Sequence, residues 1–389
     1  MTRIVTLGCR LNLAESERIA ALLGEHDRTV VVNSCSVTAE AVRQTRQAIR
    51  RLRRAHPEAR LMVTGCAAET ERAELSAMKE VDGLIANEAK LDPRAWNVPA
   101  RTQPTSRSHT RSFVGVQNGC DHACTFCIIP KGRGTSRSLP IADVLRAIEA
   151  DLAQGAREVV LTGVDLTSWG HDLPGAPRLG TLVYGILAAF PDLARLRLSS
   201  VDGIEIDEEL FALWTGEPRV MPHVHLSLQH GHDLILKRMK RRHSRKDAID
   251  LVRRLKTARP EMAIGADLIA GFPTEGEEHH EANLSIVEEL GIVHGHIFPY
   301  SPRSGTPAAR MPQNDRPTIK RRAAELRALV RETRAHWLAS LVGKPQPVLV
   351  EKDGHGFSPT YARIVAPSTA RAGDIVTLVP TQVANGLLQ

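Results

Sequence analysis

Aromatic side chains are scarce in this sequence: Phe, Trp and Tyr make up 4% of its 389 residues. Proteins that hold nucleic acid mainly by stacking bases on aromatic rings need more of them, so extensive base stacking is not expected. Long hydrophobic runs are also missing, since no stretch approaches the roughly 18 apolar residues that a membrane span needs. The sequence therefore predicts neither a membrane-spanning protein nor an aromatic stacking platform.

Cysteine is sparse as well, with six residues in the whole chain. Three disulfides would be few staples for a protein of this size. The N-terminus lacks the apolar region and cleavage site of a secretory signal. We therefore expect reduced thiols and a cytoplasmic location, with no membrane association.

The chain is globular in composition and basic in charge. Its hydrophobic content of 42% and its length allow two or three domains with substantial cores. The net charge of +7 and a pI near 9.3 indicate a polyanionic partner, for which nucleic acid is the natural candidate.

Two boundaries divide the sequence. The stretch 99–109 is rich in Pro, Ser, Thr and Arg and is typical of a linker. A helical pattern at 318–341 ends just before Gly343, where a second boundary falls. We therefore expect an N-terminal domain at 1–98, a linker at 99–111, a central domain at 112–342 and a small domain at 343–389.

The most informative pattern is Cys-x-x-x-Cys-x-x-Cys at Cys120, Cys124 and Cys127. Three thiolates can hold an iron-sulfur cube by three of its irons, which leaves one iron free for a substrate or cosubstrate. The alternative is zinc, but structural zinc normally takes four protein ligands. In that case His122 would be the candidate fourth ligand.

The other cysteines, Cys9, Cys35 and Cys66, each follow a short apolar run, at 4–7, 30–32 and 61–64. Helical patterns at 14–23 and 39–55 separate these runs, which predicts an open parallel α/β sheet. Because the carboxyl ends of parallel strands share one edge, the three cysteines should converge into a second three-thiolate site. The alternative is that they only pack the sheet.

The central domain alternates strand and helix patterns. Six strand-like runs lie at 113–117, 158–161, 195–198, 223–228, 263–269 and 294–298, and helical stretches lie at 141–154, 179–190, 245–257 and 277–290. This order predicts a (β/α)6 partial barrel with helices outside. Polar or glycine-rich groups follow the strands and should face one mouth as a cofactor pocket: Thr162, Gly163, Ser199, Ser200, Gln229, Gly271, Phe272, Pro273, Tyr300, Ser301 and Arg303.

The last domain has short β patterns at 347–351, 361–365 and 374–379, which predict a small β-barrel. Basic residues are concentrated in two other places. The arginines of the helix at 39–55 are typical of a solvated face. A denser run follows the fourth strand, and we expect phosphate contacts there from Lys237, Arg238, Lys240, Arg241 and Arg242.

Several motifs carry a resemblance to a known family. The loop CDHACTFC at 120–127 resembles the cluster loop of radical S-adenosylmethionine enzymes, and the three earlier cysteines resemble the N-terminal domain of the methylthiotransferases within them. The segments LGCRLN at 7–12, NSCSVT at 33–38, GADLIAGFP at 265–273 and PYSPRSGTP at 299–307 resemble the branch that methylthiolates N6-threonylcarbamoyladenosine in tRNA. The likeness covers nearly the whole chain.

The resemblance implies a tRNA methylthiotransferase with two [4Fe-4S] clusters and S-adenosylmethionine. Cys120, Cys124 and Cys127 would hold the cluster that cleaves S-adenosylmethionine, and Cys9, Cys35 and Cys66 would hold an auxiliary cluster that presents the sulfur. It also implies tRNA, a flavodoxin-like or ferredoxin-like electron donor and a sulfur source as partners. The implied S-adenosylmethionine contacts are Phe126, Thr162, Gly163, Ser199, Ser200, Gln229 and Tyr300.

The sequence departs from the wider pattern at three points. It has TGVD at 162–165 where many radical enzymes have Gly-Gly-Glu, and His230 where relatives often carry a small residue. We expect His230 to be a surface loop histidine. The last domain resembles a TRAM domain, which helps this family hold tRNA, but it is shortened.

Three alternatives stay open. Within the radical class, the target would be isopentenyladenosine in tRNA or an aspartate of a ribosomal protein. From another class, the protein would be a zinc-stabilised RNA-binding module.

Overall fold

The N-terminal part of the chain is a four-stranded parallel sheet in the order β1-β2-β3-β4. The computed structural model describes residues 2–24, 28–99 and 110–389, so most of the predicted linker lies outside the described residues. The elements are β1 (Arg3–Thr6), α1 (Arg10–Leu23), β2 (Thr29–Ser34), α2 (Ala39–Ala55), β3 (Arg60–Gly65), α3 (Cys66–Thr70), α4 (Arg72–Ser76) and β4 (Gly83–Leu84).

Both faces of this sheet are covered, which explains why its central strands are continuously apolar. Val32 and Val63 pack with Ile49 of α2 on one face. On the other face Val31 packs with Ile19 of α1. The alternation of side chains along each strand sends successive residues to opposite helices.

The central part is a partial barrel of parallel strands with helices outside, as the sequence predicted. Its first elements are β5 (Arg111–Gly115), β6 (Gln117–Asn118), α5 (Ile129–Arg133), β7 (Arg137–Ser138), α6 (Ile141–Ala153), β8 (Glu158–Thr162), α7 (Leu179–Ala189), β9 (Arg195–Leu198), β10 (Ser200–Val201) and α8 (Glu208–Gly216). The remaining elements are β11 (His223–Gln229), α9 (Asp233–Arg238), α10 (Arg245–Ala258), β12 (Ala263–Ala270), α11 (Glu277–Leu290), β13 (Ile292–Pro299) and α12 (Arg316–Ala339).

The third strand of the barrel is interrupted at Ser199. Before the break, β9 pairs with β8, and after it β10 pairs with β11. The two hydrogen-bonded sheets, β5-β8-β9 and β10-β11-β12-β13, therefore form one curved wall.

The barrel wall is apolar outside and polar inside. On β11, Val224 and Leu226 belong to the core shared with the outer helices, and the alternate residues His223 and His225 face inward. The N-terminal part closes one side of this interior, because Ala14 of α1 packs with Phe113 and Val160.

The C-terminal part is a small six-stranded sheet in the order β17-β14-β15-β16-β19-β18. Its strands are β14 (Gln346–Val350), β15 (His355–Phe357), β16 (Arg363–Val365), β17 (Ile375–Leu378), β18 (Val383–Ala384) and β19 (Leu387–Leu388). The sequence predicted a strand from residue 361, but Tyr361 has φ 69° and the strand begins only at Arg363.

The loop 358–361 of this part fills the floor of the barrel. Arg197 of β9 donates to the carbonyl oxygen of Pro359 at 2.9 Å, and His294 of β13 bonds that of Thr360 at 3.0 Å. Arg111 of β5 donates to the Tyr361 hydroxyl at 2.6 Å. The small sheet is thus anchored to both edge strands of the barrel, β5 and β13, and to β9 between them.

No helix within residues 2–24, 28–99 and 110–389 combines the length and the apolar character that a membrane span requires.

Candidate functional site

The loop with Cys120, Cys124 and Cys127 follows β5 and the short β6 at the carboxyl end of the barrel. Gly119 precedes it with φ +76°, and a side chain there would lie 1.8 Å from the carbonyl oxygen of Thr135, so only glycine fits. The Thr125 amide donates to the Met239 carbonyl at 3.1 Å, which fixes the middle of the loop against the end of α9. The three thiols are therefore held together by their surroundings.

Burial makes the thiols of Cys120 and Cys127 weaker acids than free cysteine. It raises the pKa of Cys120 to about 12 and that of Cys127 to about 11, and the carboxylate of Asp165, 3.7 Å from the Cys120 sulfur, adds to the first effect. Three soft sulfur donors in one loop match an iron-sulfur cluster, whose positive irons would stabilise the thiolates. Two donors also face these sulfurs: the Ile129 amide at 3.4 Å from Cys127, and Arg241 at 3.7 Å from Cys124.

His122 was the candidate fourth ligand for zinc. Its Nε2 lies 2.8 Å from a carboxylate oxygen of Asp165, and the ligand atoms of Cys120, His122 and Asp165 all lie within 4.8 Å of one another. Hydrogen bonding to this carboxylate raises the pKa of His122. His122 therefore faces an acid, and the three cysteines remain the sulfur donors of this loop.

Cys9, Cys35 and Cys66 converge at the carboxyl edge of the N-terminal sheet, as the strand pattern predicted. A side chain on Gly8 would lie 3.0 Å from the sulfur of Cys35, so the backbone beside Cys9 passes directly against that thiol. Burial, together with the nearby Cys66 and Cys9, raises the pKa of Cys35 to about 11. Cys9 is exposed and occupies the N-cap position of α1.

Asn12 ties the loops of this second set together. Its amide donates to the carbonyl oxygens of Leu7 at 2.7 Å and Ser34 at 3.0 Å, the residues just before Gly8 and Cys35. Like the first set, this set offers three sulfur donors, and here one of them, Cys9, is exposed. These residues fit a three-thiolate cluster with an accessible side.

The two cysteine sets are joined by a buried contact between α3 and α5. A side chain on Gly132 would lie 3.2 Å from the Cβ of Cys66, and Asn87 donates to the Gly132 carbonyl at 2.6 Å. The next residue, Arg133, donates to Glu15 at 3.0 Å and also to Asn12. One short helix therefore connects the loop after Cys127 to the residues around Cys9 and Cys66.

The expected S-adenosylmethionine contacts at the second and third strands lie beside this loop. Gln117 accepts from the amides of Val164 and Asp165 at 3.0 and 2.9 Å and donates to the Gly119 carbonyl at 2.9 Å. A side chain on Gly163 would lie 2.9 Å from the Gln117 amide oxygen. Thr162 and Gly163 are thereby fixed to the start of the cysteine loop.

Ser199 points to a polar ligand in the same place. Its hydroxyl is buried and has no hydrogen-bond partner among the described residues. Leaving such a group without a partner costs about 1–3 kcal/mol, so a bound molecule that satisfies it would gain affinity. Ser200 lies one residue further, half-buried in β10.

Two of the remaining expected contacts, Phe126 and Tyr300, are linked by aromatic packing through Phe272. The Phe126 ring lies edge-on to Phe272 at 6.3 Å, and Phe272 lies edge-on to Tyr300 at 5.5 Å. Gln229 has φ 71° at the end of β11, and such strain in a residue other than glycine is typical of functional sites. Phe126 and Tyr300 thus line one side of the mouth.

The expected RNA-binding run divides into inward and outward members. Arg241 has a 7% exposed side chain, pairs with Asp202 at 2.9 Å and faces Cys124, so it serves the cysteine loop. Arg242 is half-exposed but bonds Asp202 and Glu205. Lys237 and Lys240 are exposed, whereas Arg238 donates to Thr274. Phosphate binding by this run stays a prediction, carried best by the exposed members.

His230 does not lie on the surface as expected. It is fully buried, with its Nε2 3.4 Å from Glu275 and its Nδ1 accepting from the His232 amide at 3.0 Å. Burial lowers its pKa. Its contacts with Glu275 and the His232 amide hold the ring inside, which makes His230 a structural histidine.

The sequence did not predict four side chains of the site: Gln117, Arg133, Asp165 and Asp202. Asp165 had a signal, because it follows the second strand at the barrel mouth. Arg133 had none, since its partners Asn12 and Glu15 belong to a different domain.

Comparison with known proteins gives two family matches. The model of the radical SAM superfamily matches residues 114–285, and that of the uncharacterised protein family UPF0004 matches residues 2–86. The first match contains the Cys120 loop and most of the barrel, and the second contains Cys9, Cys35 and Cys66.

Curated relatives cover most of the chain. The sequence is 44% identical to the threonylcarbamoyladenosine tRNA methylthiotransferase MtaB of Rickettsia prowazekii, over 83% of this chain and 81% of that protein. It is 30% identical to the tRNA-2-methylthio-N(6)-dimethylallyladenosine synthase of Erythrobacter litoralis, over 100% and 97% of the two chains.

Among solved structures, the fold is similar to the radical S-adenosylmethionine methyltransferase TsrM from Kitasatospora setae with cobalamin and a [4Fe-4S] cluster bound. The TM-score is 0.55 at 16% identity, over 79% of this chain and 74% of that chain. This is a likeness of fold.

Proposed function

The chain belongs to the radical S-adenosylmethionine tRNA methylthiotransferases, and we propose that it adds a methylthio group to carbon 2 of N6-threonylcarbamoyladenosine next to the anticodon in tRNA. The choice of nucleoside rests on the relatives. Identity reaches 44% to one relative named for threonylcarbamoyladenosine and is 31–32% to two others with that name, against 30–32% to those named for dimethylallyladenosine.

The family implies one [4Fe-4S] cluster and S-adenosylmethionine. Cys120, Cys124 and Cys127 would hold that cluster, and we propose that Cys9, Cys35 and Cys66 hold a second one. When bound, these groups supply the radical chemistry that replaces a purine C–H bond by a C–S bond. The C–H bond is too weakly acidic to be broken by a general base.

The single observation that carries the proposal is the contact between the two cysteine sets. Gly132 lies against Cys66, and Arg133 donates to Glu15 and Asn12 beside Cys9. A reaction that needs both centres requires them to share one pocket, because a radical that diffuses is lost to other hydrogen donors. The α3–α5 contact supports such an arrangement.

The remaining residues of the mouth are assigned roles as part of the proposal. Gln117 positions Thr162 and Gly163, and Ser199 offers a hydroxyl to the cosubstrate. Phe126 and Tyr300 pack around it and exclude water. Gln229 completes the opposite wall.

The partners follow from the family. tRNA is implied by the names of the relatives. We propose in addition that a flavodoxin-like or ferredoxin-like protein supplies electrons and that a separate sulfur source renews the transferred atom. Because tRNA modification takes place where tRNA is, we also propose a cytoplasmic location.

The test is mass spectrometry of tRNA nucleosides from cells with and without this gene. We expect 2-methylthio-N6-threonylcarbamoyladenosine to disappear with the gene and to return with wild-type protein but not with Cys35→Ala. An unchanged level of this nucleoside would refute the proposal. Loss of the methylthio form of isopentenyladenosine, or of a methylthio group on a ribosomal protein, would identify one of the alternative targets.

A further inference from the structure

The interior of the barrel contains a His-Asp-His group that the proposed chemistry does not use. One carboxylate oxygen of Asp267 lies 3.0 Å from His225 Nε2 and 3.0 Å from His296 Nδ1. These bonds require both histidines to donate, so Asp267 fixes the orientation of the two rings. His225 is buried, whereas the His296 side chain is 60% exposed and faces the open interior.

A continuous row of rings leads from this group to the N-terminal domain. His225 lies 4.5 Å from His296 and 6.3 Å from His223, measured between ring centroids. His223 in turn lies 5.0 Å from the ring of Tyr361, and the guanidinium of Arg10 lies 5.2 Å from the centroid of that ring. Arg10, Tyr361 and the histidines therefore form one connected row, whose partly exposed ends are Arg10 and His296. We call the barrel interior along this row the chamber.

The acids of this chamber are already paired. Glu158 is buried between Arg197 and Arg195, and Glu351 pairs with Arg111 at 2.5 Å. Asp267 holds the two histidines. The guanidinium of Arg10, by contrast, makes no hydrogen bond or ion pair within residues 2–24, 28–99 and 110–389, and it faces the Tyr361 ring. A half-buried arginine without an acid is suited to bind an anionic ligand.

We propose that this chamber binds the threonylcarbamoyl group of the substrate, with Arg10 as the partner of its carboxylate and His296 as a hydrogen-bond donor to its polar atoms. The inference rests on the proposed function and names the residues that select the nucleoside. The dimethylallyl group, which the names of other relatives place on the same adenine nitrogen, is a hydrocarbon and offers nothing to Arg10 or His296.

The position of Arg10 suits this role because it directly follows Cys9, the exposed member of the second cysteine set. In adenine, carbon 2 and carbon 6, the atom that carries the substituted N6, flank the same ring nitrogen. A residue next to the sulfur centre can therefore hold the N6 substituent while carbon 2 faces that centre. Asp267 and His225 act as positioning residues, because they orient His296.

The test measures binding of anticodon stem-loop RNAs to cluster-reconstituted protein by fluorescence anisotropy. Three RNAs are compared, carrying N6-threonylcarbamoyladenosine, its neutral threoninamide counterpart, or dimethylallyladenosine. We expect the wild type to favour the first about tenfold, the size of one charge-assisted hydrogen bond. Arg10→Ala should abolish the preference for the carboxylate over the amide, and Arg10→Lys should restore part of it.

His296→Ala should weaken both threonyl RNAs and leave the dimethylallyl RNA unchanged, whereas His336→Ala, on the exposed face of α12, should change nothing. Wild-type protein that methylthiolates threonylcarbamoyladenosine but binds the carboxylate and amide RNAs equally would overturn this inference and leave the proposed function intact. Wild-type protein that methylthiolates only the dimethylallyl RNA would refute the proposed function itself. Stoichiometric zinc that is lost in His296→Ala would instead make the group a metal site.

Discussion

Arg133 donates to Glu15 at 3.0 Å, and both side chains are buried between the N-terminal sheet and the barrel. Lys90 pairs with the other oxygen of Glu15 at 2.5 Å. The positive charges hold the pKa of Glu15 below its usual value although burial opposes this. The pair links the helix after Cys9 to the helix after Cys127.

Replacing Arg133 by Met should destabilise the protein by about 3 kcal/mol, because it breaks the buried ion pair with Glu15 and removes one of the donors to Asn12. It should also loosen the Cys9, Cys35 and Cys66 set, so the iron content should fall from about eight to about four per chain. Urea unfolding and iron analysis measure the two effects. Arg146→Met, which removes an exposed pair with Asp143, is the control and should change neither. If the Arg133→Met variant were less stable but still contained about eight iron atoms per chain, the Arg133–Glu15 pair would not be needed to retain the second cluster.

The two cysteine sets should fail differently. Cys35→Ala should keep the Cys120 cluster and cleave S-adenosylmethionine without forming the methylthio product, because it damages only the set that we propose to present the sulfur. Cys124→Ala should lose both reactions. Anaerobic assays that quantify 5′-deoxyadenosine and methylthio nucleoside measure this split. Product formation at the wild-type rate by either variant would contradict the assignment of its set.

The basic run should separate into two functions. Lys237→Ala with Lys240→Ala should weaken tRNA binding and lower the slope of log K against log salt by about 1 for each phosphate that the variant no longer neutralises. Arg241→Ala should leave that slope unchanged and instead reduce cleavage of S-adenosylmethionine, because its guanidinium faces Cys124. Binding titrations at several salt concentrations provide the measurement. A salt slope that falls for Arg241→Ala alone would reverse these roles.

Tyr361 should be the main anchor of the C-terminal sheet. Its ring lies 4.1 Å from the Arg197 guanidinium, and its hydroxyl accepts from Arg111. Tyr361→Ala should cost about 3 kcal/mol, and Tyr361→Phe about 1 kcal/mol through removal of the hydrogen bond. Limited proteolysis should then release residues after 342 from the Ala variant first. Equal resistance of all three proteins would show that the loop does not anchor the sheet.

Stability should fall with acid because of His294. Burial and the charge of Arg334 lower its pKa to about 3, whereas an unfolded histidine has a pKa near 6.5. The folded state therefore binds the proton more weakly, so the stabilisation is present above pH 6.5 and is lost as pH falls toward 3. Below pH 6.5 this one group contributes a slope of up to about 1.4 kcal/mol per pH unit. His294→Gln should flatten the unfolding free energy between pH 7 and pH 5; parallel curves would contradict this origin.

The repeating parts of the fold could be predicted because hydrophobic periodicity determines them. The helices Ala39–Ala55 and Glu277–Leu290 and the strand Arg195–Leu198 have the bounds that the pattern indicated. The convergence of Cys9, Cys35 and Cys66 followed from the rule that parallel strands end at one edge.

The contacts between distant segments could not be predicted from local patterns. Nothing in the sequence around Tyr361 indicates that its ring enters the barrel, and the positive φ of this residue breaks the strand that its neighbours suggested. A run of charges likewise does not reveal that Arg241 turns inward while Lys240 stays exposed. His230 was misplaced for the same reason, since its burial depends on Glu275.

The α3–α5 contact also has a consequence for how the protein is made. Cys9, Cys35 and Cys66 leave the ribosome before Arg133 has been translated, and at about 5–20 residues per second the delay lasts several seconds. During this time their loops lack the helix that seals them. Iron can therefore reach Cys9, Cys35 and Cys66 without hindrance from α5 until the first segment of the barrel has been synthesised.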